Sequence, residues 1–333
     1  MNSSKRRWKR LIKVIGPLLL IFFLIKIVDP MAVADRLTEL RPGIFLVSIL
    51  FFPLAIALRT FRWWLICQYL NMRVSFQSLF PILYISRFLS IIPITGFFAL
   101  SKIIYLKDED KPVGRTGVSI LLDKAFDILG LLFFGLFAFV YFPGILIKDS
   151  PIWVLYCALI LLLGLLIIFG KKLGNGLWAL FKRHLNQKSR SIGANIEADL
   201  TRFWSVFSLK LFFLFLVLAI VIGLLRSLVL YVLAISINIH VPFAMIVACR
   251  ALIGIVNVIP VSIGGLGTRE AVLLLTLPLA GISDDGALAL GLVAFIWNIL
   301  FRLSGVVFWM KRPLPTKAIK AVHETLFPSN GRS

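Results

Sequence analysis

Asn257-Val258-Ile259-Pro260-Val261-Ser262-Ile263-Gly264-Gly265-Leu266-Gly267-Thr268-Arg269-Glu270 interrupts a chain that is otherwise a succession of apolar segments. Pro260 lacks the backbone donor a helix interior needs, and the three glycines remove the side chains that would hold one. Backbone broken at membrane depth persists only where it is buried in protein or lines a polar cavity. The Arg269-Glu270 pair beside the break points to a cavity that binds something. This stretch is the first candidate site.

Working outward, composition identifies the solvent. The chain has 333 residues, is 60% hydrophobic and only 15% charged, and carries 29 Phe and 8 Trp. A soluble domain of that length cannot hide so much apolar surface, whereas a bilayer accepts it. Apolar runs fall at 14–28, 44–66, 118–142, 152–169, 209–235 and 287–310. Most approach the roughly 20 residues that cross about 30 Å of hydrocarbon. The predicted fold is an all-α polytopic membrane protein with about six full transmembrane helices. It reads as one integral membrane domain over 1–333: an N-terminal helix and loop (1–43), a first half (44–169), a basic loop (170–203), a second half (204–310) and a tail (311–333). The basic Lys5-Arg6-Arg7-Trp8-Lys9-Arg10 before the first run resembles a signal-peptide start. Asp29-Pro30-Met31 is a poor cleavage site, so a retained helix is expected.

A net charge of +21 invites a nucleic-acid reading, and its distribution argues against one. Residues 67–77, 102–117, 170–203, the N-terminus and the tail after Met310 hold 23 of the 36 Lys and Arg. The alternate loops, 29–43, 143–150, 236–241 and 282–286, hold three basic and six acidic residues. That asymmetry predicts both termini in the cytoplasm of a cell (inner) membrane, the basic loops lying against anionic lipid. No nucleic-acid partner is expected.

Two apolar blocks do not behave as simple spans. One, at 78–106, breaks at Pro93-Ile-Thr-Gly96; the other, at 243–281, breaks at Pro260. Each is expected to be a broken, re-entrant hairpin, and the shortness of 268–277 favours this over two full spans. Sliding the chain by 167 residues lays Leu58-Arg59 on Leu225-Arg226. The same offset matches Asn71 with Asn238, Val74 with Val241, Phe76 with Phe243, and Ile92-Pro93 with Ile259-Pro260. The run 44–66 heads inward and 209–235 outward, so an inverted repeat is expected, of the kind that places binding sites near the midplane in transporters.

Charges within apolar segments are expensive and face protein or water. Arg87, Arg250, Arg269 and Arg302 are four such cations with few acids to pair them, which calls for an anionic partner. Gly264, Gly265 and Gly267 leave backbone N–H groups exposed at a helix start, and Arg269 adds a planar donor fork; Glu270 adjoins them. Asp123 and Asp127 share a helix face, and Lys124 reaches Asp127 at three residues' spacing. That trio is read as either an ion-pair network or a coupling site. Arg59 and Arg62, beside Trp63-Trp64, and Lys26 read as interface anchors.

Cys67, Cys157 and Cys249, and His184, His240 and His323, have no metal-ligand or redox spacing. No nucleophile elbow, phosphate-binding loop or dinucleotide fingerprint occurs. No cofactor, metal or enzymatic activity is expected.

Ser262-Ile-Gly-Gly-Leu-Gly-Thr-Arg-Glu270 closely resembles the signature of the lysylphosphatidylglycerol synthase transmembrane-domain family of flippase-like proteins. Leu58-Arg-Thr-Phe-Arg-Trp63, Ile91-Ile-Pro-Ile-Thr-Gly96 and Leu121-Leu-Asp-Lys-Ala-Phe-Asp-Ile-Leu129 are similar to family stretches in the same order. The chain departs from the pattern at Phe97-Phe-Ala-Leu-Ser101 and at Asp123-Lys124, and carries no counterpart of the aminoacyl-transferase domain. The resemblance implies movement of an anionic phospholipid or polyprenyl-phosphate-linked lipid between leaflets. Arg269 and the glycines would hold the headgroup, Arg250, Arg87 and Arg302 would assist, and Asp123, Asp127 and Glu270 would orient arginines or carry protons. Two alternatives stand beside it: a membrane-embedded lipid-phosphate transferase, and a scaffold for a lipid-modifying enzyme partner.

Overall fold

The computed structural model describes residues 30–91, 97–142, 207–257 and 267–319, with 161, 199, 201, 203 and 322 besides. The expected spans at 14–28 and 152–169, most of the loop 170–203, and Lys26, Pro93, Pro260, Gly264 and Gly265 lie outside the described residues. Among the described residues the regular structure is helical. In order it runs α1 (Pro30–Thr38), α2 (Pro42–Tyr69), α3 (Phe76–Leu89), α4 (Phe97–Asp108), α5 (Val113–Tyr141) and α6 (Leu209–Ser236). It continues as α7 (Phe243–Val256), α8 (Thr268–Thr276), a 3₁₀ turn (Leu277–Ala280), α9 (Asp284–Leu303) and α10 (Gly305–Lys311).

Among the described residues three stretches are long and apolar enough to cross a membrane: α2, α6 and the α9–α10 run Asp284–Lys311, each of 28 residues. Such a helix extends about 42 Å, more than the hydrocarbon thickness. Leu46, Leu50 and Leu54 on α2, Phe213 and Val217 on α6, and Ile296, Leu300 and Val307 on α9–α10 are large apolar side chains left exposed. Contiguous apolar surface of this kind suits lipid and not water. The protein is a multi-pass membrane protein. Helix α5, at 29 residues, is equally long but carries Asp123, Lys124 and Asp127 in its first half.

The helices flanking the two breaks are shorter. α3 and α4 have 14 and 12 residues, α7 and α8 have 14 and 9. These reach about 21, 18, 21 and 14 Å, less than a full crossing. α3 packs on α4, and α7 on α8. Ser101 Oγ donates to Ser86 Oγ at 3.0 Å between the first pair, and Cys249 Sγ to Thr276 Oγ1 at 3.3 Å between the second. The two ends of the second break meet: Thr268 Oγ1 donates to Asn257 Oδ1 at 2.8 Å.

Element boundaries recur along the sequence. Adding 167 to the bounds of α2 and α3 gives those of α6 and α7. Two residues after each of α2 and α6 comes an asparagine in the left-handed region, Asn71 at φ 54° and Asn238 at φ 60°. Asparagine tolerates that conformation better than most side chains. The closing bonds match too. Met72 N–H donates to Cys67 O at 2.9 Å and Ile239 N–H to Ala234 O at 2.9 Å. The correspondence slips after the breaks, where α8 begins four residues later than α4 would require.

Contacts divide the chain into two compact units. The first is drawn from 1–55, 131–155 and 220–301, the second from 56–130, 156–219 and 302–333. In the first, Val229 and Leu233 of α6, Ile246 and Ile253 of α7, Leu273 of α8 and Leu290 of α9 share one apolar core. In the second, Trp63, Leu83, Tyr105 and Phe126 are buried, and α3 packs closely on α10. A Cβ at Gly305 would lie 2.4 Å from the Tyr84 carbonyl oxygen, so only glycine permits that approach.

Candidate functional site

The first unit gathers arginines from three helices. Arg250 of α7 has Arg226 of α6 and Arg269 of α8 as its charged neighbours. The sequence provides a single carboxylate between residues 200 and 283, Glu270. Glu270 is largely committed: its Oε2 accepts from Gly267 N–H at 2.5 Å and caps α8. Its Oε1 is buried without a hydrogen-bond donor, 3.8 Å from Arg269 Nη1. Gly267 precedes α8 at φ 87°, a conformation that side chains resist. Arg269 Nη1 donates to Gly291 O at 3.4 Å. A Cβ at Gly291 would come within 2.8 Å of Glu270 Cγ, so α9 approaches the carboxylate closely there.

The second unit holds a balanced tetrad. Arg59 Nη2 lies 3.2 Å from Asp123 Oδ2 and 2.5 Å from Asp127 Oδ2. Arg62 Nη2 lies 2.6 Å from Asp123 Oδ1 and 2.6 Å from Asp127 Oδ1. Arg62 also donates to the Asp123 carbonyl at 3.1 Å. The one-turn spacing of the two aspartates on α5 presents both to the matching pair on α2. Trp63 Nε1 donates to Ser119 Oγ at 3.1 Å, joining the same two helices. Lys102 of α4 completes the group, its Nζ 4.1 Å from the Trp63 ring centre and 4.7 Å from that of Phe98.

Several expectations change here. Arg59 and Arg62 are not interface anchors: both are buried and ion-paired, because α5 brings two carboxylates to them. Lys124 does not complete that network; its side chain is exposed and the arginines take Asp127 instead. Lys102, counted as a loop charge, is buried within α4. Arg250 and Arg269 come together in the first unit. Arg87 and Arg302 belong to the second unit. Arg87 lies in the last turn of α3, and Arg302 Nη1 donates to Ser90 O and Oγ at 3.3 and 3.2 Å, binding the cap of that helix. Arg226 was legible only as the partner of Arg59 in the repeat. A lone charge inside an apolar span was the signal that marks it as a site residue.

Long apolar helices, shorter helices flanking two breaks, and arginines buried among them define a multi-pass membrane protein with a charged interior. The chain belongs to the family described as the lysylphosphatidylglycerol synthase TM region, whose family model matches residues 10–303. Comparison with curated proteins finds no match.

Proposed function

We propose that this protein moves an anionic lipid between leaflets of the cell (inner) membrane, binding the headgroup at Arg226, Arg250, Arg269 and the glycine-rich break. One observation carries the reading: Arg250 of α7 has Arg226 of α6 and Arg269 of α8 as charged neighbours, and the sequence between residues 200 and 283 offers one carboxylate, Glu270. Each arginine at membrane depth costs about 2.5–3.5 kcal/mol or more. An anionic headgroup supplies the compensating charge, and its acyl chains remain in lipid. The family's description, a lipid synthase membrane region, supports a lipid substrate.

The architecture that goes with this reading has both termini in the cytoplasm and two re-entrant hairpins, α3–α4 and α7–α8, related as an inverted repeat. The sub-span lengths of these helices, the bond between Asn257 and Thr268, and the recurring bounds at 167 residues all support it. The protein acts without a cofactor, and anionic lipids are its principal partners.

Reconstitution into liposomes with a labelled anionic lipid tests the proposal. The parent protein is expected to exchange the lipid between leaflets. Arg269→Ala removes a charge-assisted contact of about 1.5–3 kcal/mol and is expected to slow exchange at least about tenfold. Exchange as fast as the parent's would refute the site. Formation of a modified lipid without exchange would favour the transferase alternative, and neither outcome would favour the scaffold.

A further inference from the structure

The second unit holds a fifth charge that its tetrad does not neutralise. Arg59 and Arg62 engage all four carboxylate oxygens of Asp123 and Asp127, two cations against two anions. Lys102 is buried beside them, its Nζ 4.1 and 4.7 Å from the Trp63 and Phe98 ring centres. Among the described residues it makes no ion pair and no hydrogen bond. Ring faces attract a cation, yet an ammonium has three N–H donors to place. The unit's other described carboxylates are engaged elsewhere or exposed: Asp108 and Glu109 meet Arg312, Asp199 meets Arg115, and Asp110 is exposed. Two further donors lack an acceptor among the described residues, the buried Arg59 Nε and Arg62 Nη1. The three groups are neighbours. Arg59 Cζ lies 5.8 Å from the same Phe98 ring that Lys102 faces, and Trp63, on whose ring Lys102 sits, follows Arg62 on α2. A buried donor without a partner is costly, and a buried charge without one costs more.

We propose that Lys102, with Arg59 Nε and Arg62 Nη1, binds a small anion of single charge, of the halide class. One negative charge brings the group of three cations and two carboxylates to neutrality. A spherical acceptor takes N–H groups from several directions at once, which suits donors arriving from α2 and α4. Burial favours a small ion: Lys102 is 1% exposed, and Arg62 and Trp63 are 0% exposed. A headgroup attached to acyl chains would have to open the packing around these side chains. The anion ties α4 to the α2–α5 tetrad. All of its ligands belong to the second unit, so the site is independent of the headgroup reading of the first.

The test is thermal unfolding of the full chain in detergent with chloride as the probe. Gluconate replaces chloride so that ionic strength, and with it screening, stays constant. Raising chloride from about 10 to about 300 mM is expected to raise the parent's midpoint by about 2 °C or more, and to do so saturably. Lys102→Met removes the fifth charge and is expected to abolish the response, with a midpoint in low chloride at or above the parent's. Lys102→Gln serves as the second variant if the first does not fold. Lys102→Arg keeps the charge and is expected to keep the response. A parent midpoint indifferent to chloride would overturn the site, and so would an undiminished response in Lys102→Met. Loss of the parent's response on adding phosphatidylglycerol would overturn an inorganic ligand and give these donors to a lipid headgroup.

Discussion

Arg59 and Arg226 stand 167 residues apart, at the same position of two helices with matching bounds. Their electrical surroundings differ. Arg59 meets Asp123 and Asp127 from α5, and with Arg62 forms a group of two cations and two anions. Residues 290 and 294, at the offset from Asp123 and Asp127, are Leu290 and Ala294. Arg226 is instead a charged neighbour of Arg250, which also adjoins Arg269. One arginine position thus has two surroundings. Around Arg59 the charge is satisfied by two aspartates. Around Arg226 the neighbouring charge is another arginine, and the proposed function directs that cluster to a lipid headgroup.

Removing the balance of the tetrad gives the largest expected effect. Asp123→Leu leaves two buried guanidiniums sharing one carboxylate, with an expected loss of about 3–5 kcal/mol. Thermal unfolding of the detergent-solubilised protein measures it. The double variant Arg62→Leu with Asp123→Leu keeps the Arg59–Asp127 pair and restores balance. It is expected to recover most of that loss, since apolar replacements of buried ion pairs are often near neutral. A double variant as unstable as the single one would show that charge balance is not what the tetrad supplies.

Smaller effects sharpen the first unit. Gly291→Ala pushes a Cβ against Glu270 and is expected to cost about 1–3 kcal/mol, accompanied by slower lipid exchange as the carboxylate shifts beside Arg269. Parent-like stability and exchange would mean that α9 does not fix Glu270. At the low end, Lys124→Ala is expected to change stability by less than about 0.5 kcal/mol, because its side chain is exposed and outside the tetrad. A larger loss would place Lys124 back in the network.

Much of the fold was written locally. Apolar length marked the spans α2, α6 and α9–α10, and Pro260 with its glycines marked a break that the structure brackets with two short helices. The offset of 167 was visible through Asn71 and Asn238, whose left-handed geometry requires a tolerant residue. The charge pairings were not local. Arg62 and Asp123 are 61 residues apart, and the neighbouring Trp63-Trp64 imitated an interface belt. Trp63 is in fact fully buried. Lys102 read as a loop charge because its burial depends on rings brought from α2 and from its own helix. Pattern along a chain reports how a helix faces its solvent; it does not report which distant side chain neutralises a charge.

The most direct measurement converts one region into the likeness of the other. Arg250→Glu leaves Arg226 and Arg269 beside Glu270 and one introduced carboxylate, two cations and two anions, the same balance as the tetrad. Leaflet exchange of a labelled anionic lipid is then followed in liposomes, with the thermal midpoint recorded in parallel. The predicted result is a midpoint at or above the parent's and exchange reduced at least about tenfold, the effect of about 1.4 kcal/mol or more at the headgroup. Exchange within about twofold of the parent's, from a protein that remains folded, would contradict the assignment of these arginines to the lipid.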